Sequence, residues 1–183
     1  MQVSKNSAWS MTKVPIELRG ALYLSYEDLP WHLKQCFLFC ALYPEDYAMH
    51  RDDLIRYWVA SGFVEVQRET LLEDTAEEYY NELIYRNLLH PDPLCDDNRW
   101  CKMHDLLRQL GQYLSQDEYF YRDPQSLEDK SLSRVRHISI DTDTDSIKLP
   151  NANKEHIRAR TFLIRSSKSA RVENAIFRKF TYI

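Results

Sequence analysis

The segment Leu33–Ala41 places the strongest constraint on the fold. Leu33, Cys36, Phe37, Cys40 and Ala41 fall at i, i+3, i+4, i+7 and i+8, the spacing of one helix face. Leu38 and Phe39 occupy the remaining faces, so this helix has to be covered nearly all round. Other elements must pack on every side of it. Pro30 fits its first turn, and Pro44-Glu45-Asp46 ends it. With 183 residues, 44% of them hydrophobic and 13% aromatic, the chain can build one packed domain and an incomplete second piece.

Helical periods recur on both sides of this segment. One helix reads from Glu17 towards Asp28. Another spans Arg51 to Ser61, with Leu54, Ile55, Trp58 and Val59 inward and Gly62 as its stop. A further one spans Leu71 to Asn87, with Leu72, Ala76, Tyr79 and Leu83 at helical spacing. Leu88–His90 and Arg99–Met103 then flank a turn-rich stretch, the pattern of a hairpin. A last helix opens at His104 or Asp105, with Leu106, Leu107, Leu110, Tyr113 and Leu114 inward. Helices, a hairpin wing and a closing helix predict a winged-helix-like domain over residues 20–116. Residues 1–19 read as a connector from an upstream domain, and residues 117–133, with Pro124, as a polar linker. Beyond it, Arg134–Ile140 and Arg160–Ile164 read as short strands whose onsets, Arg136 and Arg160, lie 24 residues apart. That interval is inside the leucine-rich-repeat range of about 20–29 residues, and two units fall short of the three or so that stack stably. The fold class expected is mainly α with short β: a winged-helix-like domain followed, over 134–183, by a truncated leucine-rich-repeat start.

The net charge of −4 hides an asymmetry. Residues 151–183 hold eight of the 24 Lys and Arg but two of the 28 Asp and Glu, a local charge of +6 against −10 for residues 1–150. Either the basic tail packs on the acidic body, or each faces a further partner, or both are simply solvated surfaces. The longest apolar run, Cys36–Tyr43, is far too short to span a bilayer, and the first residues lack the apolar core of a secretory signal. The four cysteines therefore read as thiols of a reduced, cytoplasmic protein.

Two motifs point to function. The first is Leu33-Lys34-Gln35-Cys36-Phe37 running on to Tyr43-Pro44-Glu45-Asp46, and the second is Cys101-Lys102-Met103-His104-Asp105-Leu106-Leu107, some sixty residues on. Between them, Leu54–Val64 and Tyr79–Leu89 form two further blocks. In their order and spacing these resemble the C-terminal part of the switch module of plant nucleotide-binding leucine-rich-repeat disease resistance proteins, immune receptors of the coiled-coil type. One departure is Ser61, where the family usually has Glu before Gly-Phe, which changes a surface charge only.

The resemblance implies that His104 contacts the β-phosphate of ADP and ties this domain to a nucleotide-binding domain. It implies that Asp105 acts as the helix N-cap and orients the His104 loop, with Met103 supporting the motif from the core. Position agrees with chemistry: a helix N-terminus offers unpaired N–H groups and a positive dipole to an anion. The function implied is to hold the ADP-bound resting state of an ADP/ATP-switched receptor in defence. The partners implied are a nucleotide-binding domain and leucine-rich repeats, in cis or in trans, with a pathogen effector or guarded host protein acting indirectly.

What the sequence lacks limits this reading. It has no Gly-x-x-x-x-Gly-Lys-Ser/Thr loop, and Gly20, Gly62 and Gly111 lie too far apart to cradle a phosphate. Hydrolysis by this chain is not expected, nor is tight binding of ADP or ATP to the chain alone. A stand-alone remnant or decoy acting by protein–protein contact is one alternative. A DNA-binding winged helix is another, but its recognition helix would be 71–87, where Glu73, Asp74, Glu77, Glu78 and Glu82 oppose Arg86 and repel phosphates. Catalysis is not expected, since His104 and Asp105 are adjacent rather than a base with its orienting partner. Cys36 and Cys40, with Cys95, Cys101 and His104, could suggest zinc, but the first pair lies inside an apolar helix rather than a tight turn.

Overall fold

The computed structural model describes residues 16–66, 69–93, 99–122, 134–142, 146–148, 159–165 and 171–173. It divides into two compact units, Met1–Leu114 and Ser115–Ile183.

The first unit is built from α1 (Ile16–Glu27), α2 (Trp31–Cys40), β1 (Met49–His50), α3 (Arg51–Ala60), α4 (Leu72–Tyr85), β2 (His90–Pro91), β3 (Trp100–Lys102) and α5 (Asp105–Leu114). Helix α2 is its centre, with Leu33 and every residue from Cys36 to Cys40 buried. It packs against α5 and α4, and α3 lies along α4. The aromatic ring of Phe39 sits within 5.8–6.4 Å of those of Tyr43, Tyr57 and Phe63. Pro30 stands one position ahead of the first turn, as the N-cap, with φ −55° and an extended ψ of 153°. Its fixed φ suits that boundary, and its carbonyl accepts from Lys34 N–H at 3.0 Å.

Helix ends follow local chemistry. Gly62, at φ +73°, closes α3 in a left-handed conformation that costs glycine little. Asn87 does the same for α4 at φ 57°, with Leu88 N–H reaching back to the Leu83 carbonyl at 2.9 Å. That places the end of α4 at Tyr85, two residues short of the expected Asn87. Leu54, Ile55 and Trp58 of α3 are buried, as are Ala76, Tyr79, Tyr80 and Leu83 of α4. Val59 and Leu72, expected inward, are only partly covered.

The hairpin forms, and it gains a third strand. Strand order is β1-β3-β2, all antiparallel, with Met49 opposite Cys101 and Pro91 opposite Cys101 on the other side. Pro91 sits on an edge strand, where a missing N–H does least harm. The hairpin tip, residues 94–98 with Cys95, lies outside the described residues. A helix-rich unit with this short sheet is what a winged-helix domain requires.

The second unit holds β4 (Tyr119–Arg122), β5 (His137–Asp141), β6 (Ser146–Lys148), β7 (Thr161–Arg165) and β8 (Arg171–Glu173). β4, β5 and β7 form a parallel sheet, and β6 pairs with β8, also in parallel. His137 is opposite Thr161 and Ser146 opposite Arg171, offsets of 24 and 25 residues. His137, Ile138, Ser139 and Ile140 are all buried, as expected of an inner strand of a parallel sheet. Asp141 and Arg165 close the β5–β7 pair with a 2.6 Å ion pair.

β4 corrects the expectation of a linker over 117–133. The aromatic run Tyr119-Phe120-Tyr121 favours a strand, and Tyr119 is buried with its ring stacked 4.5 Å from that of His137. Residues 1–15, most of the expected connector, and residues 123–133 lie outside the described residues.

Candidate functional site

The Met-His-Asp segment lies where β3 passes into α5. Cys101 and Met103, both buried, anchor it from below, and His104 between strand and helix is exposed. The His104 carbonyl accepts from Leu107 N–H at 2.9 Å and Arg108 N–H at 3.0 Å. Its ring Nδ1 accepts from Leu106 N–H at 3.2 Å. His104 is therefore the N-cap of α5: its carbonyl takes the first intrahelical bond, from Arg108, and it satisfies two amides, of Leu106 and Leu107, that a helix start leaves unpaired.

This overturns the expectation that Asp105 caps the helix. Asp105 is the first residue of α5, and its carboxylate turns along the helix. Oδ1 lies 3.1 Å from Arg108 Nη2, and Oδ2 accepts from Gln109 Nε2 at 2.6 Å. The carboxylate still favours the helix start through the dipole, without bonding its amides.

The cap fixes the chemistry of the imidazole. A ring nitrogen that accepts a hydrogen bond carries no hydrogen, so the neutral ring holds its proton on Nε2. His104 thus presents an N–H donor on an exposed side chain at the positive end of a helix. His50 caps α3 in the same way, with Nδ1 accepting from Asp52 N–H at 3.3 Å. Its ring, however, is partly covered and meets Trp100 edge-on at 4.8 Å. Of the two capping histidines, His104 is the open one.

α5 also joins the two sequence motifs. Arg108 Nη2 is 3.8 Å from Glu45 Oε2, in the Tyr43–Asp46 turn. Gln112 Nε2 donates to the Ala41 carbonyl at 3.1 Å. Gly111 passes so close to α2 that a Cβ there would lie 2.7 Å from the Ala41 Cβ. Arg108, Gly111 and Gln112 were not singled out from the sequence. The one visible signal was a glycine within a helix, which costs about 1 kcal/mol relative to Ala and so implies a packing reason.

Of Met103, His104 and Asp105, His104 is the exposed residue that carries a side-chain donor, so the motif itself fits one contact to a phosphate. The thiols of Cys36, Cys40 and Cys101 are buried, and burial pushes Cys101 up to about 12 and the other two well above the usual thiol range. Such thiols resist the deprotonation that metal ligation requires. No helix among the described residues is long and apolar enough to cross a membrane.

Residues 42–110 match the family described as the disease resistance protein winged helix domain. Disease resistance protein RPM1 of Arabidopsis thaliana is 37% identical over 146 residues, 73% of this chain and 16% of that protein. Disease resistance protein RPP8 of the same organism is 36% identical over 150 residues, 75% of the chain and 16% of its own length. Disease resistance protein RGA2 of Solanum bulbocastanum is 36% identical over 109 residues, 60% and 11%. The chain thus spans a small fraction of these relatives. It carries the winged-helix domain of the plant disease resistance proteins.

Proposed function

We propose that this chain is the regulatory winged-helix segment of an ADP/ATP-switched plant immune receptor, with the switch domain over residues 20–116. In that receptor His104 contacts the ADP phosphate and holds the resting state, with Met103 and Asp105 supporting it. The single observation that carries the reading is the cap of α5. With Nδ1 engaged by Leu106 N–H, His104 offers Nε2–H to an anion at the helix N-terminus. ADP is the group bound in the intact receptor, and its remaining contacts come from a nucleotide-binding domain. A clamp of this kind works only through differential affinity, so loss of the His104 contact on exchange for ATP would release the closed state.

The second unit reads as the start of a leucine-rich repeat over 134–183. The support is its parallel pairing at offsets of 24 and 25 residues. The DNA-binding alternative gains no support, because Glu73, Asp74 and Glu78 are exposed on α4 ahead of the wing.

The test is calorimetry of ADP with the chain alone, then with the chain mixed with a nucleotide-binding domain of the same family. Binding that tightens only in the mixture, and falls with His104→Ala, supports the clamp. The same affinity for wild type and His104→Ala in the mixture rejects it and leaves action through protein contacts.

A further inference from the structure

Arg108 stands where the two motifs meet. Its side chain is 13% exposed, and its Nη2 serves two carboxylates, Asp105 at 3.1 Å and Glu45 at 3.8 Å. It also lies one turn along α5 from His104, whose carbonyl accepts its amide. Without that guanidinium, an anion approaching the α5 N-terminus would meet two uncompensated negative charges. With it, the local negative charge falls by one, and Asp105 is held along the helix. Arginine suits the task because it stays charged while one end of its guanidinium, Nη2, lies near both acceptors.

We infer that Arg108 is the positioning residue of the His104 corner: it restrains Asp105 and Glu45 and offsets one of their two negative charges, making the start of α5 more receptive to phosphate. The inference rests on the ADP reading above. Arg108 acts through its neighbours and need not touch the nucleotide.

The experiment is ADP calorimetry on the chain mixed with a nucleotide-binding domain of the family, at low and high ionic strength. Wild type is compared with Arg108→Gln, Arg108→Lys, Glu45→Gln and His104→Ala, and tryptophan fluorescence reports folding. Arg108→Gln is expected to weaken binding about tenfold at low salt, with a smaller loss at high salt. Arg108→Lys should restore most of the loss. A merely structural role would lower the urea midpoint in step with affinity, and Glu45→Gln would then not tighten binding. Should Arg108→Gln fail to fold, Glu45→Gln probes the same field from an exposed position: removing that carboxylate should tighten binding, and an unchanged affinity overturns the inference. If His104→Ala weakens binding while Arg108→Gln matches wild type, the Arg108 assignment alone fails. If His104→Ala also matches wild type, the ADP reading fails and takes this inference with it.

Discussion

Gly111→Ala tests whether α5 is held where the α2 contact places it. An added Cβ at Gly111 would lie 2.7 Å from the Ala41 Cβ and 3.5 Å from Phe37 Cε1. Carbon atoms in favourable contact stay about 3.5–4.0 Å apart, so the helices would have to separate by about 1 Å. Neither Cβ has a rotamer through which to escape. Overpacking of this kind costs about 1–3 kcal/mol, against a gain of about 1 kcal/mol in helix propensity. The net expectation is a loss of up to about 2 kcal/mol. Ala41→Gly in the same chain removes the opposing methyl, so the double variant should recover much of that loss. Trp31, Trp58 and Trp100 lie in the first unit and the chain has no tryptophan after residue 100, so tryptophan fluorescence during urea unfolding follows that unit rather than the second. A Gly111→Ala midpoint above wild type would refute the argument. So would two substitutions that simply add, because the clash demands coupling between them.

Three further outcomes are expected. In a long-range 1H–15N spectrum at alkaline pH, His104 should show the Nε2–H tautomer; the Nδ1–H form would remove the cap and the donor argument together. Asp105→Val should cost this chain only about 0.3–1 kcal/mol, because Asp105 aids the helix start through its charge and is not its cap. In an intact receptor carrying the segment it should favour constitutive signalling, and unchanged resting activity would count against the clamp. Burial pushes His137 down to about 4, with Arg160 and Arg136 adding to the effect, so the unfolded chain takes up its proton first as the pH falls. The second unit should therefore lose stability from about pH 6.5 downward, levelling near pH 4, by about 3 kcal/mol in all. Circular dichroism melts of wild type and His137→Phe should converge or cross over that range; a difference independent of pH would reject the assignment.

The elements legible in the sequence are those whose formation depends on their own residues. α2, α3 and α4 announce themselves by period, because each buries a face set by side chains three and four apart. β1 was not legible. Two residues carry no period, and Met49–His50 is a strand only because β3 lies beside it. β4 was hidden for a related reason. Pro124 and its polar neighbours suggested a linker, while the order of Tyr119–Arg122 comes from a partner strand 18 residues further on. The contacts of Arg108 and Gly111 span roughly sixty to seventy residues of sequence, and the glycine within a helix hints at a packing reason without naming its partner.

The cap of α5 shows why a motif can be recognised while its mechanism is misassigned. Asp is a strong N-cap, His an unusual one, and the two are adjacent, so propensity favours Asp105. Register decides otherwise: β3 ends at Lys102, Met103 is held in the core, and the helix has begun by Asp105, leaving His104 at the boundary. The consequence is chemical. A carboxylate cap has only acceptors to offer, so a second ligand at that position could be no anion. Imidazole has two nitrogens directed away from each other, one of which can accept from the helix while the other donates outward. The same ring can then close the helix and present a hydrogen to a phosphate. Displacing that ring would disturb the start of α5, and α5 is the element docked on Ala41 and Glu45. A contact at one exposed nitrogen is thereby tied to the packing of the domain.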